Sequence, residues 1–344
     1  MEICTAEELF SFSKKRLVEI FGTRNSIIAN ILDKSAIARA EEEMRFMEQH
    51  RIRALFFTES DFPQRLNSAE TEDCPTLLYV LGSADLNAAR TVSIVGTRRA
   101  TPQGRDTTAR LVRELKPTAA TIVSGLAYGI DTAAHTASLD QTLPTVAVLG
   151  HGLDRIYPPE NRTLAERILM EGGALITEYP NGTAMNPRYF PARNRIIAAL
   201  GDATVVIEAS EKGGALITAG IALGYHRDVF AVPGRLSDTY SSGTNNLIAT
   251  NKALLIRSAD DIAYNLGWPL PGKPAPEQQQ SLFASLSPEA QFIVTQLEQG
   301  GEMTLDEIAK RTGMSMPRTA SILFDIEMQG IVRTLPGHLY HICR

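Results

Sequence analysis

Basic, aromatic and glycine residues converge between residues 190 and 220. The segment Phe190–Arg195 reads Phe-Pro-Ala-Arg-Asn-Arg, and no carboxylate lies between Glu178 and Asp202. We predict this segment to be a loop. A buried strand at 203–208 follows, because its apolar run lacks polar alternation, and Lys212-Gly213-Gly214 then leads into a helix. Glycines turn the backbone sharply, and N–H groups at a helix start hold anions. The pattern favours a ligand made of phosphates and flat rings.

Two earlier strand ends carry similar turns. The strand predicted at 91–95 ends in Gly96-Thr97-Arg98, and Thr101-Pro102 then has the residue types of an N-cap and a first helical position. The strand at 119–124 ends in Ser124-Gly125 and leads through Asp131 into a helix at 132–140. In a parallel sheet all three turns lie at the carboxyl ends of strands, where such sheets bind ligands. We therefore predict one site, with glycines that serve only packing as the alternative.

Single-stranded nucleic acid needs cations for its phosphates and flat surfaces for its bases. We expect phosphates to be held by Arg98, Arg195, Lys212 and the N–H groups of Gly213 and Gly214. Phe190 is expected to stack on a base, and Arg193 adds a further cation. Asn194 either reads a base edge or caps a helix that begins there, and capping is favoured. Further residues that could line the site are Gly96, Thr97, Ser124, Gly125, Tyr128, Asp131 and His135.

Asp131 and His135 stand four residues apart and could form an acid–base pair or two metal ligands. No third ligand has suitable spacing, so a capping Asp131 and a packed or site-lining His135 are favoured. Cys4, Cys74 and Cys343 are scattered, which argues against a zinc site or a disulfide framework. We predict no metal, no cofactor and no catalysed reaction.

The overall charge limits where a nucleic acid could bind. The 344 residues carry a formal net charge of −5, so any such site must be a local basic patch. The sequence has no apolar run of about 20 residues and no signal-peptide pattern at Met1. These features favour a cytoplasmic protein without membrane contact.

The alternation of elements predicts an α/β fold with an extended Rossmann-like parallel sheet. Short helices at 1–70, including a charged helix at 36–50, predict a small helical domain. It resembles a type of domain often associated with DNA or protein contacts, and a plain packing role is an equal alternative. Strands and helices alternate from 71 to 267, and 268–285 reads as a Pro/Gln-rich linker. The predicted strands are 77–81, 91–95, 119–124, 145–149, 173–177, 203–208, 228–232 and 253–257.

The last segment, 286–344, has the pattern of a winged helix. Helices are predicted to start at Ser287-Pro288, at Thr304 and at Ser315-Met316, and a hairpin to turn at Pro336-Gly337, with Gly330 ending the third helix. Such domains commonly bind DNA through the third helix. Here acidic residues outnumber basic ones, which favours protein contact or regulation.

Six motifs in this order resemble the DNA-processing protein A family (DprA, also called Smf), over about residues 54–266. They are Val95–Arg98; Ser124–Asp131 with Ala134-His135; Leu153–Asn161; Phe190–Ile197; Gly214–Ala219; and Val229–Gly234. The resemblance implies single-stranded DNA binding and loading of the RecA recombinase in natural transformation or recombination, without catalysis. It also implies a homodimer formed through the Rossmann-like domain.

Two positions depart from the family pattern. The family usually has arginine where this chain has Tyr128, and Ser-Gly-Ser where it has Gly213-Gly214-Ala215. The second change removes two hydroxyls that could bond a phosphate, although the backbone N–H groups remain.

Three other functions compete with this interpretation. A phosphoribohydrolase-like enzyme would hold a nucleoside phosphate over a similar turn, but Thr218-Ala219-Gly220 stands where its paired glutamates would be. A dinucleotide-binding oxidoreductase would need Gly-x-Gly-x-x-Gly after its first strand. A protein-interaction scaffold would not bind nucleic acid at physiological salt.

Overall fold

A nine-stranded sheet organises the first of the two units into which the chain divides, Met1–Lys273 and Pro274–Arg344. The computed structural model describes residues 6–22, 26–66, 73–269, 286–301, 303–328, 331–335 and 339–342. Most of the predicted linker (270–285), Cys4, Cys343, Gly330 and the predicted hairpin tip at Pro336-Gly337 lie outside these residues.

The sheet contains every strand predicted between 71 and 267. Its strands are β1 Arg53–Phe56, β2 Leu77–Gly82, β3 Thr91–Val95, β4 Thr121–Ser124, β5 Thr145–Val148, β6 Ala174–Thr177, β7 Ala203–Val206, β8 Asp228–Ala231 and β9 Leu254–Leu255. They lie in the order β1-β2-β6-β5-β4-β3-β7-β8-β9. Strands β3 to β9 run parallel to their neighbours among themselves, whereas β2 is antiparallel to both β1 and β6. The predicted parallel, Rossmann-like sheet is confirmed.

Helices cover both faces of the sheet. The helices of the first unit are α1 Ala6–Ser11, α2 Lys14–Phe21, α3 Ser26–Leu32, α4 Lys34–His50, α5 Pro102–Leu115, α6 Ile130–Asp140, α7 Arg162–Met170, α8 Tyr189–Leu200, α9 Gly214–Gly224, α10 Ser242–Ala249 and α11 Ala259–Asn265, and those that follow β3 provide this cover. Ile94 of β3 packs in one core with α5, α6 and α11, and Val95 packs in another with α8 and α9. Burial on both faces explains why the strand sequences are continuously apolar.

The edge strand β1 lies within the segment that the sequence predicted to be helical. Arg53–Phe56 pairs with Leu77–Val80 of β2, and Leu55 and Phe62 belong to the core that α8 and α9 cover. With only four residues, of which Leu55 alone is buried, β1 has little sequence signature. Because the sheet begins at β1, we propose a boundary near residue 52 in place of 70.

The order of strands reverses between β3 and β7. From β3 the chain proceeds outward through β4, β5 and β6, and it returns to the other side of β3 at β7. At such a switch point the connections leave in opposite directions and open a crevice at the carboxyl ends of the strands. The turns after β3 and β7 therefore face the same opening.

The second unit is a winged helix. Its elements are α12 Pro288–Gly300, β10 Met303–Thr304, α13 Leu305–Thr312, α14 Met316–Met328, β11 Val332–Leu335 and β12 Leu339–Ile342. Ser287 caps α12, and Thr304 and Glu307 form a capping box at α13, so these predicted helix starts are confirmed. On the third helix, Arg318 forms an ion pair with Glu289, its Nε lying 3.1 Å from the carboxylate. No helix in the described residues of either unit is long and apolar enough to cross a membrane.

Candidate nucleic-acid interface

A cleft of about 240 Å³ lies at the switch point between β3 and β7. We call it the switch-point cleft. The predicted site residues that line it are Gly96, Thr97, Arg98, Asp131, Phe190, Arg193, Asn194, Gly213 and Gly214. Ser124, Gly125, Tyr128, His135, Arg195 and Lys212 are not among its lining residues. Residues from all three predicted turns thus meet at one place.

The turn after β3 is fixed by backbone contacts with its neighbours. The N–H of Thr97 donates to the carbonyl oxygen of Glu208 at 2.8 Å, and the Thr97 carbonyl accepts from the N–H of Ile130 at 3.2 Å. Gly129 has a φ of 79° and lies against the backbone of Thr97 and Arg98, where a Cβ would clash. Gly129 therefore permits the close approach of its backbone to that of Thr97 and Arg98. The backbone from which the Arg98 side chain extends is fixed by these contacts.

Asp131 holds the turn after β4. One of its oxygens accepts the N–H groups of Gly125 at 3.2 Å and Ala127 at 3.3 Å, and the residue is only 6% exposed. Burial raises the pKa of Asp131, and the charge of Arg193 opposes that rise. Asp131 therefore holds the preceding turn from inside α6, whose N-cap is Gly129 without a side-chain cap bond, so the favoured helix-capping role of Asp131 is wrong.

Two other predicted lining residues belong to the core below the cleft. Ser124 is fully buried and donates to the carbonyl oxygen of Ile94 at 2.7 Å. His135 is also fully buried, with Nδ1 2.7 Å from the hydroxyl oxygen of Thr145. Burial lowers the pKa of His135 to about 3, so the ring is neutral. The described residues contain no cluster of His, Cys, Asp or Glu that could hold a metal ion.

The segment 190–195 is helical, so the prediction of a loop was wrong. Helix α8 begins at Tyr189, and Pro191 fits within its first turn because N–H groups there have no intrahelical acceptor. Asn194 lies inside α8, not at its start, and its Oδ1 accepts from Nε of Arg193 at 3.1 Å. The favoured N-cap role of Asn194 is therefore wrong.

The three arginines of the site have different environments. Arg98 is exposed, and its guanidinium carbon lies 5.7 Å from the centroid of the Phe190 ring, within cation–π distance. Arg193 is 3% exposed and donates to the carbonyl oxygens of Gly125 and Val148. Burial lowers its pKa to about 10, which leaves it charged at neutral pH. Because this guanidinium is buried and donates to protein carbonyl oxygens, Arg193 stabilises the walls of the cleft. Its predicted role in binding nucleic acid stays a prediction.

Arg195 is held by an acidic partner. Its two Nη atoms lie 3.0 and 2.6 Å from the two carboxylate oxygens of Glu178, a bidentate ion pair that is about four-fifths buried. The prediction that Arg195 holds a phosphate requires this pair to open, and it stays a prediction.

The start of helix α9 presents free backbone donors, but not the pair that the sequence indicated. The N–H of Gly213 donates to the carbonyl oxygen of Ser210 at 2.9 Å, so it is already used. The N–H groups of Gly214 and Ala215 have no protein acceptor among the described residues, since both lie in the first helical turn. Nothing lies within 4 Å of the position a Cβ would take on Gly214. The donors available for the predicted anion site are therefore those of Gly214 and Ala215, one residue further along than predicted, and anion binding itself stays a prediction.

The balance of charge in the switch-point cleft favours an anion. Arg98 and Arg193 line it, and the only carboxylate among its lining residues is Asp131, which already accepts two backbone N–H groups. Lys212 is exposed next to the glycines and has no ion pair within the described part of the chain. A larger, open groove of about 920 Å³ lies nearby, but it combines Glu208 and Asp238 with one arginine, Arg235. We therefore favour the switch-point cleft for phosphate binding.

The sheet order, the switch-point cleft and the second unit define an α/β protein of Rossmann type with a winged-helix unit. The chain belongs to the DNA recombination-mediator protein A family, whose model matches residues 53–267, and a DprA winged helix domain model matches residues 273–338. The family resemblance predicted from the six motifs is confirmed.

Individual relatives match over most of the family core. The chain is 39% identical over 267 residues to protein Smf of Synechocystis sp., which covers 76% of this chain and 63% of that protein, less than two thirds of its length. It is 41% identical over 194 residues to the DNA processing protein DprA of Streptococcus pneumoniae, which covers 56% of this chain and 68% of that one.

Two solved structures share the fold. The X-ray structure of DprA from Streptococcus pneumoniae aligns with a TM-score of 0.63 and 34% identity, covering 73% of this chain and 86% of that chain. A Helicobacter pylori DprA structure, described for its single-stranded DNA binding mode, aligns with a TM-score of 0.56 and 31% identity. It covers 63% of this chain and 95% of that chain.

Proposed function

We propose that this chain binds single-stranded DNA in the switch-point cleft and delivers it to the RecA recombinase in transformation or recombination. The observation that carries the proposal is the meeting of three features in one cleft. The free N–H groups of Gly214 and Ala215, the exposed Arg98 and the Phe190 ring all line it. The Helicobacter pylori relative, named for its single-stranded DNA binding, supports the same ligand.

The geometry favours a single strand over a duplex. Phe190 lines a cleft of about 240 Å³, so a base must leave a duplex stack to reach its ring. The adjacent Arg98 then lies close to the phosphate of the same or the next nucleotide, because its guanidinium is 5.7 Å from the Phe190 centroid. Binding would be weakly selective for sequence, since every base offers a flat face.

RecA loading, a homodimer and a cytoplasmic location rest on family membership. The winged helix adds no strong phosphate surface of its own on α14, where Arg318 is paired with Glu289. We therefore assign that unit to protein contact or regulation. No catalysed step is part of the proposal.

The first experiment measures binding of labelled single-stranded and duplex oligonucleotides by fluorescence anisotropy across a salt series, with and without Mg²⁺. We expect the single strand to bind about tenfold or more tightly, with a steep salt slope and an intact oligonucleotide afterwards. Equal or absent binding would refute single-strand binding. RecA ATP hydrolysis on single strands coated with single-strand-binding protein then tests loading, and no stimulation by this chain would refute it.

Hydrolysis of nucleoside monophosphates tests the alternative enzyme. The acid–base chemistry of a phosphoribohydrolase needs accessible carboxylates, whereas Asp131 of the switch-point cleft is 6% exposed and bonded to two N–H groups. We expect no release of free base.

A further inference from the structure

Three aromatic residues form a continuous surface beside the switch-point cleft. Tyr157 lies in the segment between β5 and α7, and its ring centroid is 5.5 Å from that of Phe190, with a tilt of 52° between the planes. Tyr128 lines the same shallow depression, together with Arg98 and Pro158. We call the surface made by Tyr128, Tyr157, Pro158 and Phe190 the aromatic shelf.

Both tyrosines present their rings to solvent. Tyr157 is 42% exposed and Tyr128 is 40% exposed, although each is a large aromatic side chain. Exposed aromatic residues that cluster beside a basic cleft differ from single exposed ones, which need no explanation. Tyr157 lies in the Leu153–Asn161 motif, but a tyrosine in a loop has no functional signature from which its role could be predicted.

The aromatic shelf differs in charge from the part of the switch-point cleft around Gly214 and Ala215, where we expect a phosphate to bind. The Tyr128 hydroxyl donates to the carboxylate of Glu160 at 2.6 Å, which fixes the ring and places a negative charge at the outer end of the shelf. That hydrogen bond also raises the pKa of Tyr128, so its hydroxyl stays neutral. A phosphate is repelled next to Glu160, whereas a base meets flat, uncharged faces.

We infer that the aromatic shelf is a second base site, in which Tyr157, bordered by Tyr128, receives the base next to the one on Phe190. The inference rests on the proposed single-strand binding and extends it. The tilt between Tyr157 and Phe190 keeps their rings from stacking on each other, and Tyr157, which is 42% exposed, has surface available for a base of its own. Arg98 lines both the depression at the shelf and the switch-point cleft, so one cation is close to both base positions.

The test compares Tyr157→Ala with Tyr157→Phe in single-strand binding by the full chain. Losing a stacked base costs about 1–3 kcal/mol, so Tyr157→Ala should weaken binding roughly five- to 150-fold, whereas Tyr157→Phe should bind as the unaltered chain does. The salt slope should not change, because no phosphate contact is lost. Tyr264→Ala is the matched control: Tyr264 is 72% exposed on α11, which packs at the far end of α5 from the cleft.

A scan with abasic nucleotides separates stacking from an indirect structural effect. On the shortest oligonucleotide that keeps full affinity, the unaltered chain should lose affinity when either of two adjacent bases is removed. Tyr157→Ala should lose affinity at only one of them. If the unaltered chain binds but Tyr157→Ala binds equally well, or keeps both abasic effects, the second base site is refuted and the proposed function stands. If the unaltered chain does not bind, both are refuted.

Discussion

The guanidinium of Arg193 and the carbonyl oxygen of Gly125 are joined by a hydrogen bond of 2.6 Å inside the protein. The bond connects helix α8 to the turn after β4, and a Cβ on Gly125 would collide with the same guanidinium. Asp131, whose carboxylate holds that turn, provides the compensating negative charge. The buried, charged side chain of Arg193 therefore links two walls of the switch-point cleft and fixes the position of Phe190 relative to Asp131.

Arg193→Met should destabilise the first unit strongly. Removing one member of a buried charged pair leaves the other uncompensated, which costs about 3–5 kcal/mol of unfolding free energy. Urea denaturation measures this, with Arg99→Met as the control because Arg99 is exposed. Adding Asp131→Asn to Arg193→Met should recover part of the loss. Equal effects of Arg193→Met and Arg99→Met would contradict the structural role.

Local sequence signals predicted the elements around the site. Thr101 accepts the N–H of Gly104 at 3.0 Å and Pro102 occupies the first helical position, as their residue types indicate. Apolar runs between glycine turns identified the parallel strands, and parallel strands bring their carboxyl ends to one edge. These rules depend only on neighbours in the chain.

Tertiary contacts and local turn conformation determine the properties of the site residues that the sequence did not predict. Arg98, Arg193 and Arg195 look equivalent in the sequence, yet one is exposed, one is buried among carbonyl oxygens and one is paired with Glu178. Likewise, Gly213 and Gly214 differ because only Gly213 donates to Ser210. The environments of the arginines depend on where carbonyl and carboxylate groups from distant segments lie, whereas the Gly213 bond depends on the conformation of its own turn. A single sequence specifies neither.

Arg98→Ala and Lys212→Ala should each weaken single-strand binding and lower the salt slope by about 1, because each removes one phosphate-neutralising cation. Lys116→Ala is the matched control. Lys116 is exposed just after α5, near the amino ends of the strands and away from the cleft. Anisotropy titrations over a salt series give both quantities. An unchanged slope for Arg98→Ala would remove Arg98 from the phosphate site.

His135 should make stability depend on pH. Its pKa falls from 6.5 when unfolded to about 3 when folded, so between these values the unfolded chain binds the additional proton. The contribution of neutral His135 to the free energy of unfolding is therefore fully present above pH 6.5. It is lost as the pH falls towards 3, by up to about 1.4 kcal/mol per pH unit.

His135→Gln isolates that contribution. The variant should be less stable at about pH 7.5, because it loses the packed ring, but its stability should fall less between about pH 6.5 and pH 5. Asp131 acts with the opposite sign, since its raised pKa makes the folded chain bind the additional proton above pH 3.8. Both chains share this effect, so their difference reports His135. Parallel pH profiles of the thermal midpoint would contradict the assignment.

Glu43 of helix α4 should control the order of the segment that leads into α8. Its two carboxylate oxygens both lie 3.1 Å from the N–H of Asn181, it pairs with Arg39 at 2.9 Å, and it is 8% exposed. A hydrogen bond to a charged group contributes about 1.5–3 kcal/mol, so Glu43→Ala should raise amide exchange at Asn181 by roughly tenfold or more.

Hydrogen exchange measured on residues 178–189 tests this, with Glu42→Ala as the control because Glu42 is an exposed neighbour on the same helix. Because Phe190 directly follows the measured segment, Glu43→Ala should also weaken single-strand binding a few-fold while leaving the salt slope unchanged, since no phosphate contact is removed. Faster exchange with unchanged binding would mean that α4 orders this segment without influencing the cleft. Unchanged exchange would show that the Glu43–Asn181 bond does not hold the segment at all.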